Sequence, residues 1–370
     1  MKLGVNGIRL LGRRAGVGQA VSAILRSLDA VDHPFTEITV YSPTPLPGDL
    51  ELPRGASNVV VPSGLPPGIW EQLRLPRVHG REGVLLCPSY LVPLWARSPT
   101  VVIHHGSYEG YPAAFPWLPR TKAQVAYALS AHRATMVSTV SEHSRLDMAL
   151  HYRIDPARIS VIPEGVDTTL FAPINDPHML HMWRTSRLAT DRPFIMYAGK
   201  PAPRRNLPAL LEAWTMLVRD GSLDHDLVLF GTGLTGTNLQ SAIEHTGFSE
   251  RVHAVAYADH EELALAYNAA DLLVYPSSYE GFGMPVLEAM ACGTPVIALD
   301  NTAFPEFASG VAELLPDACP ETLAQGIHAV LADPARRIRM GRLGPVRAAE
   351  YDWRVITKRY VELIVAAAGA

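Results

Sequence analysis

Cysteine is scarce in this chain of 370 residues, which carries Cys87, Cys292 and Cys319 and no others. The three residues lie far apart and include no CxxC pair, which excludes a disulfide-rich scaffold. We therefore expect all three thiols to be free and reduced.

Long hydrophobic runs are missing as well. No stretch of about 18 apolar residues occurs, which excludes a membrane-spanning helix. Residues 1–9 lack the sustained apolar core that a signal peptide needs. These absences favour a cytoplasmic protein, and a position at the inner face of a membrane stays open.

An excess of charge of either sign is also absent. The formal net charge is -4, so no overall attraction to nucleic acid is expected, and we predict no nucleic-acid partner. Internal repeats, coiled-coil heptads and low-complexity tracts do not occur. At about 150 residues per domain, the length favours two domains.

Short runs of Val, Ile and Leu recur along the chain, and helix-compatible segments separate several of them. Continuous apolar strands between helices predict parallel sheets and an α/β fold. The runs form two series, at 2–5, 38–41, 58–61, 84–87, 101–105, 136–140 and 159–162, and at 194–198, 227–230, 252–257, 272–275 and 296–299. Breaker residues at 171–177 place the domain boundary near residue 175. Two further helices are predicted at 336–350 and 353–367.

Two glutamates, Glu280 and Glu288, flank a Gly-Phe-Gly loop. Pro285 fits the first position of a helix that should end near Gly293. The loop's N–H groups and the positive helix end would then lie between the carboxylates, which suits a diphosphate. The carboxylates would accept hydroxyls from a sugar and a ribose. A structural alternative stays open, because Glu288 in a first turn stabilises its helix by about 0.3–1 kcal/mol without a ligand.

Over residues 278–295 the pattern resembles the Glu-x7-Glu element of retaining glycosyltransferases of family 4, the group 1, mannosyltransferase-like enzymes. The resemblance covers nearly the whole chain and implies the GT-B fold, with two Rossmann-like lobes whose parallel sheets face each other across a deep cleft. Residues 1–175 would form an N-terminal, acceptor-side lobe, joined by a C-terminal helix at about 354–370. Residues 176–353 would form the lobe that binds the nucleotide sugar.

The resemblance also implies where the donor binds. Glu280 would orient the transferred hexose as a catalytic residue, and Glu288 would hold the ribose. Further donor contacts would come from the loop and the helix start, at Gly281, Phe282, Gly283, Met284 and Pro285. Two strand ends, at Gly231 and Tyr257, would also contact the donor, and ordinary packing of these strand ends is an equal alternative.

A basic turn between a strand and a helix holds Lys200, Arg204 and Arg205. In the family a Lys just before an Asn contacts the leaving diphosphate, and a second cation lies upstream. The resemblance therefore assigns catalytic roles to Arg205, which replaces that Lys, and to Lys200, whereas Arg204 is interpreted as a surface cation. No DxD pair of acids follows a strand, so we expect a metal-independent reaction that needs no cofactor.

In the first half, Gly16 and Gly18 lie in a glycine-rich loop at a helix start. The third glycine of a dinucleotide fingerprint is missing, which disfavours NAD. The resemblance implies that this loop approaches the donor phosphates, and a simple tight turn stays open.

Two adjacent histidines, His104 and His105, end an apolar strand. His104 matches the His of a family His-Asp element, whose side chain or neighbouring backbone approaches the transferred sugar, and His105 replaces the Asp. A buried strand-end histidine is the structural alternative. Residues 162–167 resemble the family's Pro-Asn-Gly-Val-Asp turn, with Glu164 in place of Asn. Residues 111–120 place aromatic and basic side chains together, which suits an acceptor or lipid headgroups, or else inward packing.

These features predict a retaining hexosyltransferase that acts in polysaccharide biosynthesis. Its donor would be a nucleoside diphosphate sugar, either GDP-mannose or a UDP-sugar. Its acceptor would be a glycan, lipid-linked or small-molecule hydroxyl, with a peripheral membrane contact left open. The alternatives are a nucleotide-sugar epimerase or hydrolase, and a noncatalytic nucleotide-sugar-binding protein.

Overall fold

The structure, a computed structural model, describes residues 1–12, 16–106, 117–231, 233–234, 237–256 and 259–370. The chain divides into two compact units. Unit 1 comprises Met1–Gly165 and Tyr351–Ala370, and unit 2 comprises Val166–Glu350.

Unit 1 is built on a sheet of seven parallel strands in the order β3-β2-β1-β4-β5-β6-β7. The central strands are fully buried runs of Val, Leu and Ile, as expected where helices cover both faces of a parallel sheet. The strands are β1 (Lys2–Asn6), β2 (Glu37–Ser42), β3 (Ala56–Val60), β4 (Val84–Cys87), β5 (Thr100–His104), β6 (Met136–Thr139) and β7 (Ile159–Val161). The helices of this segment are α1 (Val17–Ser27), α2 (Pro67–Leu73), α3 (Leu75–His79), α4 (Trp117–Arg133) and α5 (Glu142–Tyr152).

Unit 2 repeats the arrangement with six parallel strands in the order β10-β9-β8-β11-β12-β13. The strands are β8 (Phe194–Ala198), β9 (Asp226–Phe230), β10 (Val252–Val255), β11 (Leu272–Tyr275), β12 (Val296–Leu299) and β13 (Glu313–Leu315). The helices are α6 (Pro177–Leu188), α7 (Leu207–Arg219), α8 (Thr237–His245), α9 (His260–Ala269), α10 (Met284–Ala291), α11 (Phe304–Ala308), α12 (Pro320–Leu331) and α13 (Pro334–Ala349).

The predicted α/β class with two Rossmann-like parallel sheets is confirmed. Every strand predicted from the apolar runs is present, and β13 is the described strand that the prediction missed. β13 has three residues, of which Glu313 and Leu314 are only half-buried at the sheet edge, so it shows no continuous apolar run.

The chain changes unit before residue 175, because the breaker-rich segment is fixed to unit 2. Phe171 packs edge-on against Tyr267, with ring centroids 6.1 Å apart. Asn268 accepts a hydrogen bond from the Ile174 N–H at 2.7 Å and donates one to the Ala172 carbonyl at 3.1 Å. The described division therefore falls between Gly165 and Val166.

The final helix, α14 (Trp353–Ala368), belongs to unit 1. Its side chains Ile356, Tyr360 and Ile364 join the core formed by β1, β4, β5 and α1. Trp353 fills the space beside Gly165, where an added Cβ would lie 2.5 Å from the indole ring. Among the described residues, no helix is both long and apolar enough to cross a bilayer.

Candidate functional site

The basic turn and the glutamate loop leave neighbouring strands of unit 2. The strand order reverses between β8 and β11, and the turn at 199–206 follows β8 while the loop at 276–283 follows β11. Ligands of open parallel sheets bind outside the carboxyl ends of the strands at such a reversal. The fold therefore brings the two predicted motifs to the edge of the sheet where a ligand is expected.

Glu280 lies at the centre of this site and is buried, with 4% of its surface exposed. Its Oε1 accepts hydrogen bonds from Arg205 Nε at 3.0 Å, from the Tyr275 hydroxyl at 2.9 Å and from Ser277 Oγ at 3.1 Å. Arg204 Nη2 lies 3.4 Å from Oε2. Burial raises the pKa of this carboxyl, but the two guanidinium groups outweigh burial and leave the pKa below its ordinary value. Glu280 is therefore ionised at neutral pH.

Arg205 is held in a fixed orientation. Its Nη1 donates to the Lys200 carbonyl at 2.8 Å, and its guanidinium lies over the Tyr275 ring, 5.6 Å from the centroid. Burial lowers the pKa of Arg205, but Tyr275, Glu280 and Tyr197 together raise it above its ordinary value. The guanidinium thus stays charged although most of it is enclosed.

Two residues that sequence reasoning did not assign to the site join its two loops. Arg204 Nε donates to the Tyr279 carbonyl at 3.0 Å, and the Arg204 carbonyl accepts from the Ser278 N–H at 2.7 Å. Asn206 donates to the Pro276 carbonyl at 2.8 Å and to Ser278 Oγ at 2.6 Å. Arg204, interpreted from the sequence as a surface cation, is instead a partner of Glu280.

Asn206 carries a local signal that could have been used. It adopts a left-handed conformation with φ 48° at the residue before α7, and Asn is one of the few residues that tolerate this conformation. Nothing in the local sequence, however, indicates that its amide reaches the loop after β11.

Lys200 is exposed, and its ammonium group has no ion pair or hydrogen bond among the described residues. Arg205 is bound through Nε to Glu280 and through Nη1 to the Lys200 carbonyl, and it also interacts with the buried Tyr197. Among the described residues, the Lys200 ammonium is therefore an uncommitted donor close to a charged guanidinium at the reversal of the sheet.

Gly283 precedes α10 with φ 111°, and a Cβ on it would lie 2.4 Å from Phe304. No side chain caps the helix, which begins at Met284 and has Pro285 in its first turn, as predicted. It ends at Ala291, and Gly293 follows in the left-handed conformation with φ 78°. Gly231 packs directly on Gly199, whose carbonyl oxygen would lie 2.5 Å from an added Cβ.

Glu288 lies in the second turn of α10 and is buried. Its Oε2 accepts a hydrogen bond from the Tyr267 hydroxyl of α9 at 3.0 Å. Burial raises the pKa of Glu288 to about 7, although the hydrogen bond from Tyr267 acts in the opposite direction. The pKa values of the two glutamates are thus shifted in opposite directions, because among the described residues Glu280 has cationic partners and Glu288 has none.

In unit 1, His104 ends β5 inside a group of three tyrosines. Its ring is fully buried, and the centroids of Tyr90, Tyr127 and Tyr152 lie 5.3, 6.1 and 5.6 Å away. Neither ring nitrogen has a hydrogen-bond partner among the described residues. Burial, followed by the neighbouring His105, lowers its pKa to about 3. The ring of His104 is therefore enclosed and uncharged, and the approach of its side chain or neighbouring backbone to the transferred sugar stays a prediction.

His105 follows β5 and is hydrogen-bonded through both ring nitrogens. Nδ1 lies 2.5 Å from Glu164 Oε1, and Nε2 donates to the Pro88 carbonyl at 2.9 Å. Burial lowers the pKa of His105, but Glu164 outweighs burial and raises it overall.

The glycine-rich loop is described from Gly16 onward and for residues up to 12. Gly16 precedes α1 with φ 52°, and Gly18 is buried in the first turn of α1. Tyr257 and residues 111–116 of the predicted aromatic segment lie outside the described residues.

The three cysteines are free, as predicted, with Cys87 and Cys292 buried and Cys319 exposed. A cavity of about 400 Å³ in unit 2 lies at the far end of α10, between Cys292–Pro295 and α13. None of the predicted site residues lines it, so we attach no role to it in the chemistry.

Comparisons with known proteins agree with this layout. Residues 15–170 match the family model described as Glycosyltransferase Family 4, and residues 183–346 match the one described as Glycosyl transferases group 1. The chain is similar to a D-inositol 3-phosphate glycosyltransferase of Kineococcus radiotolerans, with 30% identity over 57% of this chain and 52% of that protein. It is also similar to the O-antigen chain mannosyltransferase B of Escherichia coli, with 29% identity over 62% and 60%. The matched region thus spans between about half and three fifths of the length of these two curated relatives.

Solved structures resemble the whole chain. The sucrose-phosphate synthase of Thermosynechococcus elongatus superposes with a TM-score of 0.79 and 21% identity, over 99% of this chain and 98% of that one. Anabaena HepE in complex with UDP-glucose superposes with a TM-score of 0.80 and 18% identity, over 99% and 100%. At these identities the likeness establishes the fold, which is GT-B with two Rossmann-like units.

Proposed function

Because the chain belongs to the group 1 glycosyltransferases of family 4, we propose that it is a retaining hexosyltransferase that uses a nucleoside diphosphate sugar. We assign the donor to unit 2 and the acceptor to unit 1. The donor is GDP-mannose or a UDP-sugar, and the acceptor is a hydroxyl group of a glycan, a lipid-linked saccharide or a small molecule.

The observation that carries the proposal is the pair of cations, Lys200 and Arg205, at the reversal of the second sheet, where the Lys200 ammonium has no partner among the described residues. Glu280 and the Lys200 carbonyl occupy two nitrogens of Arg205 and so fix its orientation. We assign this oriented guanidinium and the Lys200 ammonium to a diphosphate, for which a guanidinium and an ammonium group are suitable donors. The amino end of α10 supplies a further positive potential for the same anion.

In this mechanism the bond between the anomeric carbon and the phosphate oxygen breaks, and its electron pair goes to the departing diphosphate. Arg205 and Lys200 stabilise that charge. The acceptor oxygen bonds to the anomeric carbon on the same face, and its proton passes to a phosphate oxygen. The configuration is retained without a side-chain nucleophile, and we propose that no metal takes part.

The two glutamates position the donor in the proposal. Glu280, kept ionised by Arg204 and Arg205, accepts a hydroxyl of the transferred hexose beside the Gly281–Gly283 amides. Glu288 uses Oε2 for Tyr267, and its Oε1 has no hydrogen-bond partner among the described residues. We assign that oxygen to a ribose hydroxyl.

For a lipid-linked acceptor we propose a peripheral membrane contact at the outer face of α4 and α5. Val125 and Leu129 of α4 and Leu146 and Leu150 of α5 are all more than half exposed. His132 at the end of α4 bonds the Tyr152 carbonyl at the end of α5, so the two helices run side by side.

The charge of α4 suits an anionic lipid surface. α4 carries Arg120, Lys122 and Arg133 and no acidic residue, whereas α5 carries Glu142 and Asp147 as well as Arg145. Arg133 donates to the Leu94 and Ala96 carbonyls, which places the exposed Trp95 next to the same helix end. Amphipathic tryptophan and cationic side chains around exposed leucines are typical of proteins that bind membrane interfaces.

The test begins with thermal unfolding of the full chain in the presence of UDP, GDP, ADP, TDP and CMP, each alone and with its sugars. A ligand present at 100 times its Kd stabilises the protein by about 2.7 kcal/mol. We expect one nucleotide family to shift the transition, and its sugar to be consumed only when an acceptor is present.

Other outcomes would contradict the proposal in different ways. Consumption of the donor without an acceptor would identify an epimerase or a hydrolase. Binding without consumption across a panel of acceptors would favour a nucleotide-sugar-binding protein. If none of the nucleotides shifts the thermal unfolding transition, the proposed diphosphate site is wrong.

A further inference from the structure

Two ionisable residues of unit 1, His105 after β5 and Glu164 after β7, are in direct contact. The resemblance described from the sequence gives Asp in place of His105 and Asn in place of Glu164. They are 59 residues apart in sequence, yet Nδ1 of His105 lies 2.5 Å from Oε1 of Glu164. Both side chains are buried, with 7% and 9% of their surfaces exposed.

The geometry determines where protons must lie. The Pro88 carbonyl only accepts, so His105 Nε2 carries a hydrogen. A distance of 2.5 Å between Nδ1 and a carboxylate oxygen requires a second proton between them, because two lone pairs would otherwise face each other. The pair is therefore stable only while it holds this shared proton.

The pair joins three loops at the carboxyl edge of the first sheet. Pro88 follows β4, His105 follows β5, and Glu164 lies beyond the end of β7. Glu164 is followed by Gly165, which is packed against the Trp353 ring of α14. A single buried contact thus fixes the edge of unit 1 at which open sheets bind their ligands.

Few other ionisable groups act on the pair from the surrounding elements. Arg9, beyond β1, lowers the pKa of His105, and Glu164 raises the pKa of Tyr360 on α14. His104 is uncharged, and Tyr90 contributes its ring at 6.1 Å. The carboxylate of Glu164 is the group that binds the imidazole directly.

We propose that His105 and Glu164 are an interdependent positioning pair, which fixes the loops that present the acceptor to the reaction and which tolerates replacement of both residues better than replacement of either one. The acceptor part of this inference rests on the proposed function. The interdependence of the two residues does not.

The test is a double-mutant cycle in the full chain with His105→Asp, Glu164→Asn and both together. His105→Asp places a second carboxylate against Glu164 in a buried position, and we expect it to lower Tm most. Glu164→Asn leaves the imidazole N–H facing an amide, so we expect it to lower Tm by less than His105→Asp does. The double variant pairs an Asn donor with an Asp acceptor and should regain most of the lost Tm. A double variant no better than the worse single variant would overturn the proposal.

A matched control is available on the surface of α5, where His143 lies 3.5 Å from Asp147. The cycle of His143→Asp and Asp147→Asn should be close to additive, because the pair is partly exposed. A coupling there as large as that of His105 and Glu164 would also contradict a special role of the buried pair.

A positioning role is separated from a purely structural one by kinetics. Glu164→Gln should raise the acceptor KM, measured with the donor saturating, about tenfold. It should leave the donor KM, measured with the acceptor saturating, unchanged, whereas equal changes in both would indicate a general structural role.

Because the pKa of His105 is raised, its contribution to stability is complete below pH 6.5 and is lost as the pH rises through the raised value. The Tm advantage of wild type over the double variant should therefore shrink at alkaline pH. If no donor is consumed at all, the proposed function fails, while the Tm cycle still decides the pairing.

Discussion

Tyr267 of α9 donates its hydroxyl hydrogen to Glu288 Oε2 of α10 across 3.0 Å, and both side chains are buried. The carboxyl has no cationic partner among the described residues, and burial raises its pKa to about 7. Its charge therefore changes within the physiological pH range.

This relationship predicts a pH dependence of donor binding. An ionised Glu288 accepts a ribose hydroxyl through Oε1 while Oε2 accepts from Tyr267, so the donor KM should rise as the pH falls below about 7 and the carboxylate takes up a proton. The folded protein holds the Glu288 proton up to about pH 7, whereas an unfolded chain releases it near 4.5, so the free energy of unfolding attributable to Glu288 falls as the pH rises between these values. Measurements of donor KM and of Tm against pH check both statements, and Glu288→Gln should remove both dependences.

Tyr267→Phe sharpens this test. The hydrogen bond from Tyr267 lowers the pKa of Glu288, so its loss should move the midpoint of the KM profile to higher pH. Tyr360→Phe, a buried tyrosine of unit 1, is the control and should leave the midpoint in place. A midpoint that does not move in Tyr267→Phe would refute the assigned cause.

Glu280→Gln removes a charge that neutralises two guanidinium groups. We expect the free energy of unfolding to fall by about 3 to 5 kcal/mol, because two buried cations lose their carboxylate. The kcat of folded protein should fall about 100-fold through loss of the hexose contact and of the Arg205 orientation. Glu313→Gln, which breaks an Arg336 pair at the edge of the same sheet, is the control and should leave kcat unchanged. Normal turnover by folded Glu280→Gln would exclude its role.

Lys200→Ala separates binding from stability at the same site. The ammonium has no partner among the described residues, so the free energy of unfolding should change by less than about 0.5 kcal/mol. A charged hydrogen bond to phosphate contributes about 1.5 to 3 kcal/mol, so the donor KM should rise roughly tenfold to a hundredfold. Arg219→Ala, at the exposed end of α7, should change neither quantity. A normal donor KM in Lys200→Ala would remove this cation from the diphosphate site.

The outer face of α4 and α5 predicts binding to anionic vesicles. Purified protein should sediment with phosphatidylglycerol-containing vesicles, less so at high salt, and only weakly with pure phosphatidylcholine. The double variant Leu129→Glu/Leu150→Glu should lose this binding without loss of fold, because both side chains are exposed. Ile338→Glu, an exposed apolar position of α13, is the matched control. Equal sedimentation of the three proteins would contradict the assigned surface.

Much of the fold could be predicted from the sequence, because a run of four or five apolar residues indicates a strand that is buried on both faces. β13 could not, since only Leu315 of its three residues is buried. The choice of Glu280 and Glu288 as candidate site residues came from the resemblance of residues 278–295 to a family element, and the structure places one before α10 and the other within it. These are properties of contiguous residues.

The partners of those residues could not be predicted in the same way. Arg204 and Asn206 reach the glutamate loop only because β8 and β11 are neighbours in the sheet, although 76 residues separate Arg204 from Glu280 and 70 separate Asn206 from Pro276. The contrast between His104 and His105 is likewise tertiary, because alternation along a strand end places one ring among tyrosines and the other against Glu164.

The return of the final helix to unit 1 bears on how the protein is made. Unit 2 is one continuous segment and is complete when residue 350 has been synthesised, whereas the core of unit 1 still lacks Ile356, Tyr360 and Ile364 at that moment. We therefore expect unit 2 to be able to fold before unit 1 during synthesis, against the usual order in which the amino-terminal domain folds first. A nascent chain paused before α14 would then expose apolar surface of the first sheet to chaperones.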